Sequence, residues 1–195
     1  MLDKSFSKKY INLTGLIQDE FNRNADLHGD QIKCKKGCSQ CCSQIFRITM
    51  LDSEVIISHI NNMDIAQQEF LKSKAEKYID LTGHYKNESD EFFVKPEIPC
   101  PALDENGSCM IYEARPVICR RFGPPVFDYK NPEKLYACEL NFKEGDEIID
   151  DQLIPKQTDI GIKWDELKTS YNSEKDIKKN ASTTIAEAIL NINNL

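Results

Sequence analysis

The sequence predicts a mainly α-helical fold, in which a helical domain surrounds an irregular, cysteine-rich metal-binding centre with few or no short strands. Apolar residues recur at helical intervals in the first two dozen residues and again between residues 64 and 81. Prolines and turn-forming residues crowd the stretch from 100 to 125, which leaves little room for regular elements there. The 8 cysteines are clustered, which is typical of ligands and not of a spread disulfide framework.

An amphipathic helix is predicted at the start of the chain, because apolar residues there follow one another at intervals of three or four and share one helix face. This stripe consists of Phe6, Tyr10, Leu13, Ile17 and Phe21. We expect the helix, residues 1–27, to pack on the domain. The cysteine-cluster domain then spans residues 28–145, and residues 146–195 form a C-terminal loop and helix that belong to the same globule.

Two helices are expected between the cysteine groups. Thr49 or Asp52 can cap the first, which runs through residues 55–60, and the second runs from about 64 to 81 and ends at Gly83. The second helix is expected to bury Ile65, Phe70, Leu71, Ala75, Tyr78 and Ile79. Because helices joined by a short connection tend to lie antiparallel, the chain should then return toward the first cysteine group.

Short or irregular elements are expected in the rest of the chain. Residues 86–99 are polar and predicted to be irregular. A small hairpin then precedes a helix over residues 117–121, because Pro116 suits the first turn of a helix. Residues 139–160 are acidic and loop-like, and a terminal helix is predicted over residues 173–193.

Composition and charge narrow the classes of function. A net charge of −7 and a pI near 5.1 disfavour bulk attraction to nucleic acid or anionic lipid. Charged residues occupy the N-terminal positions where an export signal would be apolar, and no long uncharged apolar run follows. We therefore expect a soluble, cytoplasmic protein with no membrane association. The catalytic motifs expected of a hydrolase are missing, since the sequence contains no HExxH motif or glycine-rich phosphate loop.

The first cysteine group reads CKKGCSQCC and contains Cys34, Cys38, Cys41 and Cys42. These side chains would share one face if the segment were helical, whereas Gly37 would also allow a tight loop whose amides point at the sulfurs. Either form lets three thiolates reach one metal or one cluster face. Adjacent side chains diverge, so Cys42 is also suited to a second site.

The second group contains Cys100, Cys109 and Cys119, and Cys138 follows it. Eight thiols fit two four-cysteine zinc sites, a two-metal site with bridging sulfurs, or one 4Fe-4S cluster with cysteines left over. Soft thiolates select zinc, copper(I) or iron–sulfur centres over hard ions, but the sequence does not rank zinc against iron. The expected partner is a metal ion or a cluster.

Positively charged and aromatic residues accompany the second group. Arg115 and Arg120 can donate hydrogen bonds to thiolates or to an anionic substrate, although Arg115 suits a salt bridge with an acidic neighbour equally well. Tyr112 is expected to pack beside the site and not to take part in chemistry. His28 lies close to Cys34 in sequence and is a further candidate ligand.

Taken together, these runs resemble the YkgJ-type cysteine-cluster family, which is described as a zinc- or iron-chelating domain with a CxxxCxxCC signature. The resemblance rests on CKKGCSQCC, CPAL, CMIYEARPVICR and the trailing cysteine, and it covers about residues 34–138. It implies a ligand set of Cys34, Cys38, Cys41, Cys42, Cys100, Cys109, Cys119 and Cys138. It also identifies Tyr112, Arg115, Pro116 and Arg120 as the non-cysteine positions of the motif.

Three functions fit these observations. The first is a metal-binding protein that holds zinc or an iron centre, with no specific activity assigned. The second is an iron–sulfur oxidoreductase or a protein-modifying enzyme, since some members of the resembling family are named iron–sulfur oxidoreductases or flagellin lysine N-methylases. The third is a zinc-stabilised interaction module whose outer helices bind a protein partner or form a homodimer.

One spacing bears on the enzyme hypothesis. Cys34, Cys38 and Cys41 have the spacing that radical S-adenosylmethionine enzymes use to leave one iron open to the cofactor. The chain is short for the partial barrel of those enzymes and shows no strand–helix alternation after the motif. Gln40 also stands where they carry an aromatic residue. The sequence therefore leaves open whether the protein is an enzyme.

Overall fold

The structure, a computed structural model, describes residues 2–35, 37–83, 93–94 and 98–192. Its α-helices in these ranges are α1 Lys4–His28, α2 Met50–Ile60, α3 Ile65–Thr82, α4 Val117–Arg121, α5 Leu153–Glu174 and α6 Ile185–Leu190. Short 3₁₀ helices occur at Gly29–Gln31, Gln40–Ser43 and Tyr112–Ala114. The predicted mainly α class is confirmed. Within these ranges, no helix combines the length and the apolar character needed to cross a membrane.

The strands of the described ranges are two residues long. They are β1 Gln44–Ile45, β2 Ile48–Thr49, β3 Phe93–Val94, β4 Val126–Phe127, β5 Leu135–Tyr136 and β6 Ser182–Thr183. They pair antiparallel as β1–β3, β2–β6 and β4–β5, so each pair joins two chain segments without building an extended sheet. Most of the stretch 86–99, predicted to be irregular, lies outside the described residues, but β3 shows that the prediction is wrong at residues 93–94.

The chain divides into two compact units whose segments alternate along the sequence. The first unit consists of residues 1–2, 36–116 and 177–195, and the second of residues 3–35 and 117–176. The chain therefore passes from one unit to the other four times, once between Cys34 and Cys38. The domain boundaries expected from the sequence, at residues 27 and 145, stay a prediction.

In the first unit, α6 packs against both α2 and α3. The fully buried side chains of this core include Leu51, Ile56, Ile60, Leu71 and Ile189. Capping boxes begin two of these helices: the Thr49 hydroxyl accepts from the Asp52 amide at 3.1 Å, and the Thr184 hydroxyl accepts from the Glu187 amide at 3.1 Å. Thr49 is thus the cap that the sequence suggested, and Asp52 completes the box from inside the helix.

The apolar face predicted for α3 is correct in part. Leu71, Ala75 and Tyr78 are buried, and Asp64 caps the helix at one end while Gly83 follows its last residue. The predicted burial of Ile65 is wrong, since this side chain is 73% exposed. Ile65 precedes Leu71 by six residues, which places it about 120° around the helix from the buried face.

In the second unit, α1 packs against α5 and α4. The predicted amphipathic stripe is confirmed, because Phe6, Tyr10, Leu13 and Ile17 are all buried. The ring of Phe6 meets Tyr171 of α5 edge-on at a centroid distance of 5.3 Å, and Tyr10 meets Trp164 at 6.2 Å. α5 is therefore the partner surface for the first helix.

The C-terminal part of the chain corrects two predictions. The loop expected over residues 139–160 ends at Leu153, where α5 begins, and the terminal helix expected over 173–193 is limited to α6. Pro155 lies in the first turn of α5, where its missing amide breaks no helical hydrogen bond. The many acidic residues of this stretch suggested a loop, but α5 has an apolar face formed by the buried residues Leu153, Ile160, Leu167 and Tyr171.

Candidate metal centre

All eight cysteines lie within the described residues and carry thiols. The first unit contains Cys38, Cys41, Cys42, Cys100 and Cys109. The second unit contains Cys34, Cys119 and Cys138. Of the whole set, Cys38 is exposed, Cys138 is buried, and the others are half-buried.

The two cysteine groups meet through the backbone of the first unit. The 3₁₀ turn Gln40–Ser43 holds Cys41 and Cys42, and its entry is closed by a 2.9 Å hydrogen bond from the Cys42 amide to the Ser39 carbonyl. The Cys100 amide then donates to the Cys42 carbonyl at 2.6 Å. The predicted return of the chain to the first group is confirmed.

A hairpin holds Cys109 near Cys100. The Met110 amide donates to the Ala102 carbonyl at 2.8 Å, and Cys109 forms a bridge with Leu103. The Asp104 carboxylate closes the turn by accepting from the Asn106 and Ser108 amides, at 2.8 and 2.7 Å. The small hairpin predicted from the turn residues is therefore confirmed, and it places Cys109 opposite Leu103, three residues after Cys100.

Cys41 is the most acidic thiol for which a shift is resolved. Its pKa is lowered to about 7, mainly because the Cys42 thiol donates a hydrogen bond to it. The positive charge of Arg115 lowers the pKa of Cys41 further, while burial acts in the opposite direction. Cys41 is therefore partly a thiolate at neutral pH, which is the form that binds metals.

Cys100 has the opposite tendency. Burial raises the pKa of the Cys100 thiol to about 12, and the nearby charges of Cys109 and Cys41 raise it as well. The amide of Ala102 and the ammonium of Lys74 lower it. The mutual influence of these sulfurs shows that they are close enough to share an electrostatic environment, in which an added cation would favour deprotonation.

In the second unit, Cys34 sits against Gly123 and Asn141. Gly123 has φ of +126°, and a Cβ at this position would lie 2.7 Å from the Cys34 sulfur. The side-chain amide of Asn141 donates to the Gly123 carbonyl at 2.7 Å and points at the Cys34 sulfur at 3.4 Å. Gly123 and Asn141 thus form a cradle for the Cys34 sulfur. Only glycine at position 123 leaves room for the sulfur there.

The other two thiols of the second unit lie on either side of Gly123 in sequence. Cys119 is in α4, a helix that packs against α1. The Cys138 amide donates to the Gly123 carbonyl at 3.1 Å, and the Cys138 carbonyl accepts from the Asn141 amide at 2.8 Å. The hydrogen bond to the Gly123 carbonyl therefore connects the backbone of Cys138 to Gly123, which lies against the Cys34 sulfur.

The non-cysteine candidates are divided between the units. Arg115 stacks on the Tyr112 ring, with its guanidinium carbon 3.7 Å from the ring centroid, and Tyr112 is 54% exposed. Both belong to the first unit, and the Arg115 charge acts on Cys41. Arg120 belongs to the second unit and lines a small cavity there. His28 meets Phe142 edge-on at 5.1 Å, and its Nε2 is buried without a hydrogen-bond partner.

No three His, Cys, Asp or Glu side chains of the described ranges are already arranged as metal ligands. Within each unit, backbone hydrogen bonds bring thiol segments together: Cys100 is bonded to Cys42 in the first unit, and Cys138 is bonded to Gly123 in the second.

Residues 33–139 match the family model CxxCxxCC, whose description reads "Putative zinc- or iron-chelating domain". The chain belongs to this family. The resemblance to a cysteine-cluster family is confirmed, and a metal ion is the partner that CxxCxxCC membership implies. The name of the family writes two residues between its first two cysteines, whereas three residues separate Cys34 from Cys38 in this chain. No curated protein and no solved structure gives a significant match to the chain.

The residues of this CxxCxxCC chain fit zinc or iron chemically. Both metals bind thiolate sulfur, and the acidic thiol of Cys41 supplies a thiolate near neutral pH. Arg115 and Lys74 act on Cys41 and Cys100 as positive charges, so they can offset the negative charge of a thiolate centre. The donor set thus agrees with the description of the family.

Neither Asn141 nor Gly123 was predicted from the sequence as part of the site. Asn141 lies beyond the end of the family match, in an acidic stretch with no periodic pattern. Its contacts with Lys33, Cys34 and Gly123 all span long sequence separations. A single sequence carries no local signal for such a role.

Proposed function

We propose that this CxxCxxCC protein takes up zinc or iron in a thiolate centre based on Cys41, Cys42, Cys100 and Cys109. The observation that carries the proposal is the 2.6 Å hydrogen bond from the Cys100 amide to the Cys42 carbonyl. This bond brings the two cysteine groups together through the backbone, so less chain entropy is lost when a metal binds. Zinc would supply a structural cross-link there, and iron would add electron transfer.

The thiols of this centre have different tasks. Cys41 carries the first thiolate, because the hydrogen bond from Cys42 lowers its pKa to about 7. Cys100, with a pKa raised to about 12 chiefly by burial, keeps its proton until a cation replaces it. Uptake therefore releases protons and strengthens as the pH rises.

Charged neighbours balance the thiolates. The Lys74 ammonium donates to the Leu103 carbonyl, which holds this charge near Cys100. Arg115 is held in place by the Tyr112 ring and by a 3.2 Å hydrogen bond from its Nε to the Tyr112 carbonyl. We propose that Arg115 and Tyr112 form a partly exposed binding surface for an anionic ligand, next to Cys41. We propose that Arg120 binds an anionic group in the second unit.

The remaining cysteines complete the proposed ligand set. Cys38 is exposed and can move toward Cys41 with little cost in packing. In the second unit, Cys34, Cys119 and Cys138 are proposed as ligands of a further thiolate site. We further propose that the protein works in a reducing compartment such as the cytoplasm, because thiolate ligands must escape oxidation to disulfides.

Metal analysis of anaerobically purified protein tests the proposal. We expect zinc or iron at one or more ions per chain, and loss of that metal from Cys41→Ala and Cys100→Ala. Ser39→Ala is a matched control, because Ser39 belongs to the same loop but offers no thiol. Wild-type protein without either metal, or full metal loading in both cysteine variants, would contradict the proposal.

An iron–sulfur oxidoreductase or protein-modifying enzyme is the second candidate function. It is favoured by the pair of Arg115 and Tyr112, because a positive charge that acts on Cys41 beside a half-exposed ring suits an anionic substrate. Brown protein with visible absorption after anaerobic purification would support a 4Fe-4S cluster. Colourless protein with stoichiometric zinc would reject this candidate.

The interaction-module hypothesis loses the observation that motivated it. The apolar stripe of α1 is buried against α5 within its own unit, so it does not need an external partner. A protein partner or a homodimer is therefore not part of the function that we propose.

A further inference from the structure

The side chain of Asn141 connects three segments of the second unit. Its Oδ1 accepts a hydrogen bond from the Lys33 amide at 2.8 Å, and its Nδ2 donates to the Gly123 carbonyl at 2.7 Å. The same Nδ2 lies 3.4 Å from the Cys34 sulfur. Asn141 is only 7% exposed, so these contacts are shielded from water.

The orientation of the Asn141 amide follows from its two backbone partners. A backbone amide can only donate and a backbone carbonyl can only accept, so the oxygen must face Lys33 and the nitrogen must face Gly123. The nitrogen is therefore the atom directed at the Cys34 sulfur. A donor in this position stabilises negative charge on sulfur more than a neutral thiol.

The backbone of Asn141 is held in place by the neighbouring segment that contains Cys138. Its backbone amide donates to the Cys138 carbonyl at 2.8 Å, while the Cys138 amide donates to the Gly123 carbonyl at 3.1 Å. The Gly123 carbonyl thus accepts both from Cys138 and from the Asn141 side chain. A displacement of Asn141 would loosen the segments of Cys34 and Cys138 together.

We propose that Asn141 is a positioning residue for a metal site of the second unit. It holds the Cys34 sulfur beside Gly123 and donates a hydrogen bond to that sulfur when Cys34 acts as a metal ligand. This inference rests on the proposed function, because it takes Cys34 as a ligand. Asn141 itself does not bind the metal. It supplies an outer hydrogen bond of the kind that orients metal ligands, whose loss commonly costs about 10- to 100-fold in metal affinity.

Asn141→Asp separates the donor from the acceptor. The aspartate keeps an oxygen for the Lys33 amide, but it has no donor for Gly123 or Cys34 and adds a negative charge next to the sulfur. Asn172→Asp is the matched control, because Asn172 is a buried asparagine of α5 in the same unit, at 6% exposure. The full-length chain is stripped of metal anaerobically and titrated with Zn²⁺ against a chromophoric chelator. We expect Asn141→Asp to bind Zn²⁺ roughly 10-fold or more weakly than wild type, and Asn172→Asp to bind within about twofold of it.

A second readout separates positioning from general destabilisation. Co²⁺ bound by thiolates gives a charge-transfer absorption whose intensity rises with the number of sulfur ligands. At saturating Co²⁺, Asn141→Asp should show a lower absorption per bound ion than wild type, because Cys34 no longer engages fully. An unchanged absorption per ion together with an unchanged Zn²⁺ affinity would overturn the inference.

Hydrogen exchange on the metal-free protein tests the tie without any metal. Asn141→Asp should speed amide exchange at Cys138, whose acceptor it shares, and unchanged exchange there would contradict the positioning role. If the aspartate variant loses its helical circular dichroism, Asn141→Ser replaces it with the same expectations. Wild-type protein that binds neither Zn²⁺ nor Fe²⁺ rejects the proposed function, whereas normal wild-type binding that Asn141→Asp leaves unchanged rejects this inference alone.

Discussion

The backbone amide of Cys100 donates a hydrogen bond to the carbonyl of Cys42 at 2.6 Å, although the two residues belong to cysteine groups far apart in sequence. The pairing of Gln44 with Val94 continues the contact just beyond Cys42. Backbone interactions therefore bring the groups together, and we expect a bound metal to tighten this arrangement.

Metal should stabilise this arrangement without being needed for the helices. Added Zn²⁺ is expected to raise the thermal midpoint of the metal-free protein, because a ligand at about 100 times its Kd adds about 2.7 kcal/mol to the free energy of unfolding. The rise should be absent in Cys41→Ala and present in Ser39→Ala. Calorimetry measures it, and an identical rise in all three proteins would refute the role of Cys41.

The acidity of Cys41 should depend on Cys42. Cys42→Ala removes the main cause of the lowered value, so the pKa of Cys41 should rise from about 7 toward its ordinary value of about 9. Alkylation of the Cys41 peptide in metal-free protein, followed by mass spectrometry across pH, gives the midpoint. Arg115→Gln should shift the midpoint upward by less, because Arg115 is the smaller cause.

The same lowered pKa predicts how Cys41 affects folding. A thiolate favoured in the folded protein contributes stability above the unfolded pKa of about 9, and that contribution is lost as the pH falls through about 7. Denaturant titrations of metal-free protein at pH 6 and pH 9 should therefore differ less in Cys41→Ala than in wild type. An equal difference in both proteins would contradict the assignment.

Gly123 should tolerate no side chain. Gly123→Ala places a Cβ 2.7 Å from the Cys34 sulfur at a φ of +126°, so we expect it to lower the free energy of unfolding by about 1–3 kcal/mol. Gly15→Ala is the control, because Gly15 lies inside α1 and, apart from its chain neighbours and the backbone of its own helix, no atom lies within 4 Å of the added Cβ. It should stabilise the protein by up to about 1 kcal/mol. Chemical denaturation measures both changes, and equal effects would refute the cradle.

The capping boxes should carry measurable stability. Thr49→Ala removes the hydroxyl that accepts from the Asp52 amide, at an expected cost of about 1 kcal/mol in the free energy of unfolding. Thr14→Ala in α1 is the control, because the Thr14 hydroxyl only donates to the Ile11 carbonyl inside a helix. Alanine there should be neutral or slightly stabilising. A control that costs as much as Thr49→Ala would show that the cap contributes nothing special.

Several elements could be predicted from the sequence because their signals are local. The stripe from Phe6 to Ile17, the cap at Thr49 and the proline before Val117 each act within a turn or two of helix. The spacing of the cysteines was enough to recognise the family. The beginning of α5 was not predicted, because acidic residues and Gly161 interrupt its apolar pattern in the sequence. Glycine at position 161 has a tertiary cause, since the Tyr129 ring occupies the space that a Cβ there would need.

Sequence alone thus established a helical protein with thiols suited to zinc or iron, since helical periodicity and ligand chemistry are properties of short segments. The tertiary structure decided that Cys34 and Cys38 belong to different units, that Ile65 is exposed, and that Asn141 reaches the Cys34 sulfur. These outcomes depend on contacts between residues distant in the chain. Such contacts form only when the free energy of packing offsets the entropy lost in closing long loops, and a local sequence pattern does not show whether it does.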